Sequence, residues 1–112
     1  MKDFAQIIII GVIIAVAAQF LVYPYKVSGE SMVPTYRPNQ WLLVDKVSYK
    51  FRDPKENEIV VFRFEQTELV KRVIKVTPEG KYWVEGDNKE ASTDSREFGA
   101  IPKEVIVGKV IN

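Results

Sequence analysis

The pattern of apolar and polar positions changes character near residue 25. From Phe4 to Tyr23 the sequence FAQIIIIGVIIAVAAQFLVY is broken only by Gln6, Gly11 and Gln19, and no charged residue occurs between Phe4 and Tyr25. Wound as an α-helix, that run reaches roughly 30 Å, the thickness of a bilayer's hydrocarbon core, and so predicts a single membrane-spanning helix. Pro24 is expected to stop it, and Tyr23 and Tyr25 fall where amphipathic rings collect at the membrane–water boundary. A cleaved secretory signal is the rival reading, because Ala15-Val16-Ala17 has the small-x-small form of a cleavage site. Against it, the flank before the run holds only Lys2, offset by Asp3, and the run continues past Ala18 to Tyr23. Charge does not orient the span, since Lys2 and the amino terminus face Lys26 across it.

After the apolar run the helical pattern gives way to short β runs separated by turn residues. Strands are expected at 25–27, 41–47, 58–64, 69–76, 81–85 and 105–111. Between them, 34–39, 52–57, 77–80 and 86–99 are rich in Pro, Gly, Asn, Asp or Ser. No later segment has a sustained apolar spacing at i, i+3, i+4 and i+7. The expected fold is therefore mainly β, with one N-terminal transmembrane helix followed by a small barrel-like or sandwich-like domain. Residues 1–25 form the anchor and residues 26–112 the β-rich domain.

Composition narrows the chemistry. The 112 residues include no histidine and no cysteine. A Ser-His-Asp triad, a Cys-His pair and a zinc site built on His or Cys are thereby excluded, leaving a lysine amine or a carboxylate as general base. With 16 basic and 15 acidic residues the net charge is +1, which gives no field to gather nucleic acid. The absence of cysteine does not fix the compartment.

Ser31 is the best nucleophile in the sequence. It stands in a turn-like context, with Gly29 two residues before it and Pro34 three after. Gly29 permits a backbone conformation closed to other residues and lets a substrate carbonyl approach closely. The plainer alternative is that this stretch is only the bend leaving the membrane. Lys71 lies in the β run Leu69-Val70-Lys71-Arg72-Val73-Ile74-Lys75-Val76, where Leu69 and Val73 share its face and favour a neutral amine. Parity is open, because Arg72 lies on an equally apolar face beside Val70 and Ile74, and strand lysines commonly serve as solvated edges. The third stretch, GDNKEASTDSREFG from Gly86 to Gly99, reads as a polar loop. Within it a hydroxyl such as Ser92 is able to orient a lysine amine, and Asp94 to pair with Arg96.

An apolar run, then SGESMVPT, then LVKRVIKV, then GDNKEASTDSREFG, in that order, closely resembles the type I signal peptidase family of Ser-Lys membrane proteases. The resemblance extends from Val27 onward over nearly the whole chain. It implies Ser31 as nucleophile, Lys71 as general base, Ser92 as a hydrogen-bond partner of the lysine amine, Asp94 and Arg96 as a structural pair, and Met32 beside the substrate groove. It further implies no metal or cofactor, a catalytic domain on the outer face of the cytoplasmic membrane, and preprotein substrates with small residues before the cut. Three features depart from the family. Where some relatives place a serine that donates to the oxyanion, this chain has Gly29, so the second donor is open. The connection between Lys71 and Gly86 is short, and the chain ends at Asn112 where relatives commonly continue into another strand. Two rival functions stand beside this reading: a narrow-specificity propeptide protease like those that mature nickel-type superoxide dismutase, and a non-catalytic anchored β module binding a partner through its aromatic residues. The oligomeric state is not legible.

Overall fold

The computed structural model describes residues 2–112, the side chains of residues 2, 19 and 20 excepted. Its first element is α1 (Lys2–Leu21), followed by β1 (Val22–Lys26), β2 (Trp41–Asp45), β3 (Ile59–Phe64), β4 (Thr67–Val76), β5 (Tyr82–Glu85), a short α2 (Ser95–Phe98) and β6 (Ile106–Val110). All strand pairs are antiparallel, in the order β1-β2-β6-β3-β4-β5. β1 and β5 remain as edges, so a single unclosed sheet stands where a barrel or a two-sheet sandwich was expected. It is nevertheless curled, since the Tyr25 hydroxyl on β1 reaches across to donate to the Glu68 carbonyl on β4.

The curl follows from strands that are apolar on both faces. Val60, Val61 and Phe62 in β3 and Val70 and Val73 in β4 are all buried. One face carries Val27, Met32, Tyr36, Leu42, Val44, Val61, Val70 and Val110, and the other Tyr49, Val60, Phe62, Val73, Tyr82, Val84 and Ile101. Loops and α2 must therefore cover what an open sheet would leave wet. Phe98 of α2 does this by stacking on Phe64 at 4.3 Å and meeting Phe62 edge-on at 6.2 Å. The β3–β4 hairpin turns through Glu65 and Gln66, both at positive φ, in the handedness that two-residue hairpins favour.

The start of the sheet differs from expectation. α1 ends at Leu21 and β1 begins at once, so Pro24 does not stop the helix; it sits within β1. An edge strand tolerates proline because one row of its N–H groups has no ladder partner to serve. Tyr23 and Tyr25 are strand residues whose hydroxyls are both spent on Glu68. Residues 3–18 of α1 are exposed throughout, including Phe4, the isoleucines from Ile7 to Ile10, Val12, Ile13 and Ile14. Their described side chains span about 24 Å against the roughly 30 Å of a hydrocarbon core. Among the described residues no helix is long and apolar enough to cross a membrane.

Far from β1, Glu58 ties down the loop that enters β3. It accepts from Arg52 through both oxygens (3.1 and 2.7 Å), from the Tyr49 hydroxyl (3.0 Å) and from the Lys55 N–H (2.9 Å). Burial alone would raise its pKa, but the Arg52, Lys55 and Tyr49 hydrogen bonds outweigh it and bring the carboxyl down to about 2. A depressed acid stabilises the fold above its unfolded pKa and loses that contribution as pH falls toward the folded value, at about 1.4 kcal/mol per pH unit of depression. Thermal unfolding between pH 6 and 2 is expected to show this loss, and Glu58→Gln to flatten it. An unchanged acid limb in the variant would remove Glu58 from the account.

Candidate active site

Ser31 is held in a loop that closes on itself. At its base Val27 donates to the Gln40 carbonyl and Asn39 to the Val27 carbonyl (2.9 and 2.8 Å), while Tyr36 N–H reaches the Met32 carbonyl at 2.9 Å. Val27 and Met32, on either side of the serine, are both packed in the first apolar cluster. Gly29 has φ +81° with open space around it, so the glycine is required by the backbone and not by crowding. Ser31 itself is nearly enclosed, at 9% exposure.

Lys71 is fixed by register. It lies opposite Val60, on the second face of the sheet, and is 4% exposed. The parity left open by the sequence is thus resolved: Lys71 shares its face with Val73, while Arg72 turns the other way. Continuing the pairing of Arg72 with Glu85 and Val73 with Val84 by one residue sets Lys71 opposite Gly86. Directly opposed residues in an antiparallel pair project to the same face. A Cβ on Gly86, which would point to the face of Lys71, would lie 2.3 Å from Ser92 Oγ and 2.6 Å from the Ser31 carbonyl oxygen. The serine turn and the Ser92 hydroxyl therefore meet on the face that carries the lysine, in space left by a missing side chain.

No hydrogen bond joins Ser31 Oγ, Lys71 Nζ and Ser92 Oγ to one another. Among the described residues no fully buried side-chain nitrogen or oxygen lacks a partner, so the serine hydroxyl and the lysine amine keep a path to solvent. Ser92 Oγ accepts from the Gly86 N–H at 3.1 Å and donates to Asp94 Oδ2 at 2.6 Å. Burial lowers the Lys71 pKa; the Asp94 carboxylate opposes the shift and Arg96 adds to it.

Asp94 and Arg96 are joined in a fork, Nε to Oδ1 at 2.9 Å and Nη2 to Oδ2 at 3.1 Å. Asp94 is fully buried and also accepts the Gly86 N–H at 2.9 Å. Burial would raise its pKa, but Arg96, Ser92 and the Gly86 N–H outweigh that and hold the carboxyl well below the usual range. Asp94 is in addition the N-cap of α2, with Glu97 reaching back to its N–H at 2.8 Å. That helix was expected to be loop, although its Asp-x-x-Glu capping pattern is present in the sequence. Met32, set by the resemblance beside a groove, is wholly enclosed in the core at 0% exposure.

Four residues of the site were not singled out from the sequence. Asp87 takes a bidentate pair from Arg72 (both 2.9 Å) and the Thr35 hydroxyl at 2.5 Å. Asn88 donates from its backbone to the Ser31 carbonyl (2.8 Å) and from its side chain to the Glu30 carbonyl (3.1 Å). The dipeptide after Gly86 thus clamps the serine turn to the lysine strand. Asp87, Asn88, Thr35 and Arg72 each look like ordinary polar residues in isolation, and only long-range pairing reveals them.

A serine in a closed turn, a buried lysine on β4 and a carboxylate-braced loop, in a chain with no histidine or cysteine, are the parts that a serine hydrolase working without imidazole needs. The chain belongs to the family described as signal peptidase, peptidase S26, which it matches over residues 1–77 and 75–112. It is 30% identical to signal peptidase IB of Staphylococcus aureus strain COL, with 88% of this chain and 81% of the relative covered. It is also 31% identical to the mitochondrial ATP-independent inner membrane protease subunit 1b of Arabidopsis thaliana, covering 82% and 68%. The alignment with the staphylococcal enzyme runs over 154 positions against 112 residues in this chain, so the relative carries insertions between the matched segments.

Proposed function

We propose that this signal peptidase cleaves exported preproteins with Ser31 as nucleophile and Lys71 as general base. The observation that carries the reading is the meeting of the Ser31 turn and the Ser92 hydroxyl over Gly86, on the face of the sheet where Lys71 is buried. A lysine free in water is protonated at neutral pH and cannot accept a proton; burial moves Lys71 toward the neutral form that can. Neutral Lys71 takes the proton of Ser31 as the hydroxyl oxygen attacks the scissile carbonyl, then returns it to the leaving amine. Water, deprotonated by Lys71, then attacks the acyl carbonyl, and the lysine passes that proton to the Ser31 oxygen as the ester bond breaks and the product acid leaves. The contacts tighten once substrate excludes solvent from the path that both side chains keep in the free protein. The Ser31 N–H is the first oxyanion donor. Ser92, whose own proton is held by Asp94, has a lone pair left to accept from the lysine amine and orient it.

Residues 1–25 serve as the membrane anchor, its last four, 22–25, leaving the helix as part of β1, and 26–112 as the catalytic domain, placed on the outer face of the cytoplasmic membrane. The full helix Lys2–Leu21 has 20 residues, its described apolar side chains are exposed, and burial in lipid accounts for both. The decisive experiment is covalent labelling with an acylating serine-enzyme inhibitor, followed by peptide mass analysis. The adduct is expected on Ser31, to be lost in Ser31→Ala and to be strongly slowed in Lys71→Met. Labelling elsewhere, or none in a chain that cleaves a preprotein, refutes the assignment.

A further inference from the structure

A cleft of about 330 Å³ lies away from Ser31 and Lys71, walled by Tyr23, Lys46, Arg63, Glu68 and Val107. The volume is at the lower end of the range for ligand sites, roughly 300 to 1,000 Å³. Its walls come from β1, β3, β4, β6 and the residue after β2, so the curl of the sheet forms it in advance. It sits at the foot of α1, because the Lys46 N–H donates to the carbonyl of Leu21, the last helical residue, at 2.8 Å. No basic residue stands in the last turn of α1, and Lys46 meets the end of the helix through its backbone N–H.

The polar groups of the cleft are unevenly committed. Glu68 Oε1 accepts the Tyr23 hydroxyl at 3.3 Å, and Lys46 Nζ lies over the Tyr23 ring at 5.5 Å from its centre. Arg63 is paired with Glu68 only at 3.7 Å, beyond hydrogen-bond distance, and its side chain is 73% exposed. Among the described residues neither Lys46 Nζ nor the Arg63 guanidinium makes a hydrogen bond, so two cations border the cleft against one carboxylate engaged by a tyrosine. Two basic side chains lining one cleft suit a small oxyanion, and a guanidinium in particular suits a phosphate.

We propose that this cleft holds the phosphate of an anionic phospholipid headgroup. The assignment rests on the reading of α1 as the membrane anchor, which sets Leu21, Tyr23 and Lys46 at headgroup depth. Lipid bound there ties the foot of the anchor to β3 and β4, and so fixes how the sheet stands on the bilayer.

The test uses the full chain in a neutral detergent, titrated with phosphatidylglycerol while thermal unfolding is followed by circular dichroism. The midpoint is expected to rise with phosphatidylglycerol and not with phosphatidylcholine or inorganic phosphate. In Lys46→Ala and in Arg63→Ala, the amount needed for half the effect should increase about fivefold, the factor represented by the ~1 kcal/mol that one basic side chain contributes at an anionic surface. Lys81→Ala, which removes the same charge from the β4–β5 turn, should leave the titration unchanged, and all three variants should cleave a soluble peptide normally. Equal losses in Lys81→Ala, an unaltered response in the Lys46→Ala/Arg63→Ala double variant, or a rise with inorganic phosphate alone overturns the lipid site. Flotation with phosphatidylcholine vesicles tests the anchor separately. A chain that floats but ignores phosphatidylglycerol refutes the cleft and keeps the anchor, whereas a chain that does not float refutes both.

Discussion

Replacing Lys71 by Met is expected to lower kcat/KM for preprotein cleavage by at least about 10³-fold while leaving the protein as stable at pH 7 as before, or more so. The two effects have one cause. Burial lowers the Lys71 pKa, so the folded chain holds that proton less tightly than the unfolded chain, whose lysines titrate near 10.4. A base with a depressed folded pKa costs stability at every pH below both values, and the cost disappears as pH rises through the window between them. Methionine has a similar length and no amine to desolvate, so the variant escapes the cost and its stability loses the rise with pH. In the unaltered enzyme kcat/KM should climb with pH as Lys71 deprotonates, at a value below that of a free lysine. Cleavage and thermal unfolding, measured on both proteins from pH 6 to 10, check each half. Residual cleavage at a tenth of the original rate would dismiss Lys71 as the base. An inactive variant with an unaltered pH dependence of stability would dismiss only the depressed pKa.

Gly86→Ala is the second large effect, and it acts through volume alone. The added methyl would stand 2.3 Å from Ser92 Oγ, 2.6 Å from Ser92 Cβ and 2.6 Å from the Ser31 carbonyl oxygen. One of these is backbone, and Asn88 N–H already holds it at 2.8 Å. The serine turn must move, and a displacement near 1 Å at a reacting centre can cost about 10²-fold in rate. Overpacking of this kind also destabilises by about 1 to 3 kcal/mol. Gly29→Ala supplies the contrast, since its Cβ meets nothing and its penalty is backbone strain at φ +81°. The expected result is a collapse of kcat for Gly86→Ala with a modest fall in melting temperature, and for Gly29→Ala a stability loss with a smaller fall in kcat. Equal kcat values for the two would show that the serine turn does not depend on the space over Gly86.

Much of the fold was legible because its causes are local. The apolar run produced a helix, and β-branched clusters between Pro, Gly and Asn turns produced strands within a few residues of where they occur, as with 58–64 against Ile59–Phe64. Composition removed histidine and cysteine chemistry without any coordinates. What failed locally did so for visible reasons. Pro24 was expected to end the helix and instead joined an edge strand, where its missing N–H costs nothing. α2 was missed because four residues carry too little periodicity, even though Asp94 and Glu97 form a capping box.

By itself the sequence determined which chemistry this protein has available: a serine after a glycine-bearing turn, lysines in a β run, a polar loop rich in carboxylates and hydroxyls, and a long apolar segment without charge. The tertiary structure alone decided which lysine face is buried, because parity in a strand with two apolar faces depends on its partners, and pairing with Val60 settled it. It also decided that the Ser31 carbonyl and the Ser92 hydroxyl meet over Gly86, that Asp87 and Asn88 clamp the serine turn, and that Met32 is buried in the core. Thr35 and Asp87 stand 52 residues apart in the chain, and Glu30 and Asn88 stand 58 apart. No local pattern encodes such meetings; they exist because hydrogen-bond register along β4 and β5 carries a position in one segment to a position in another.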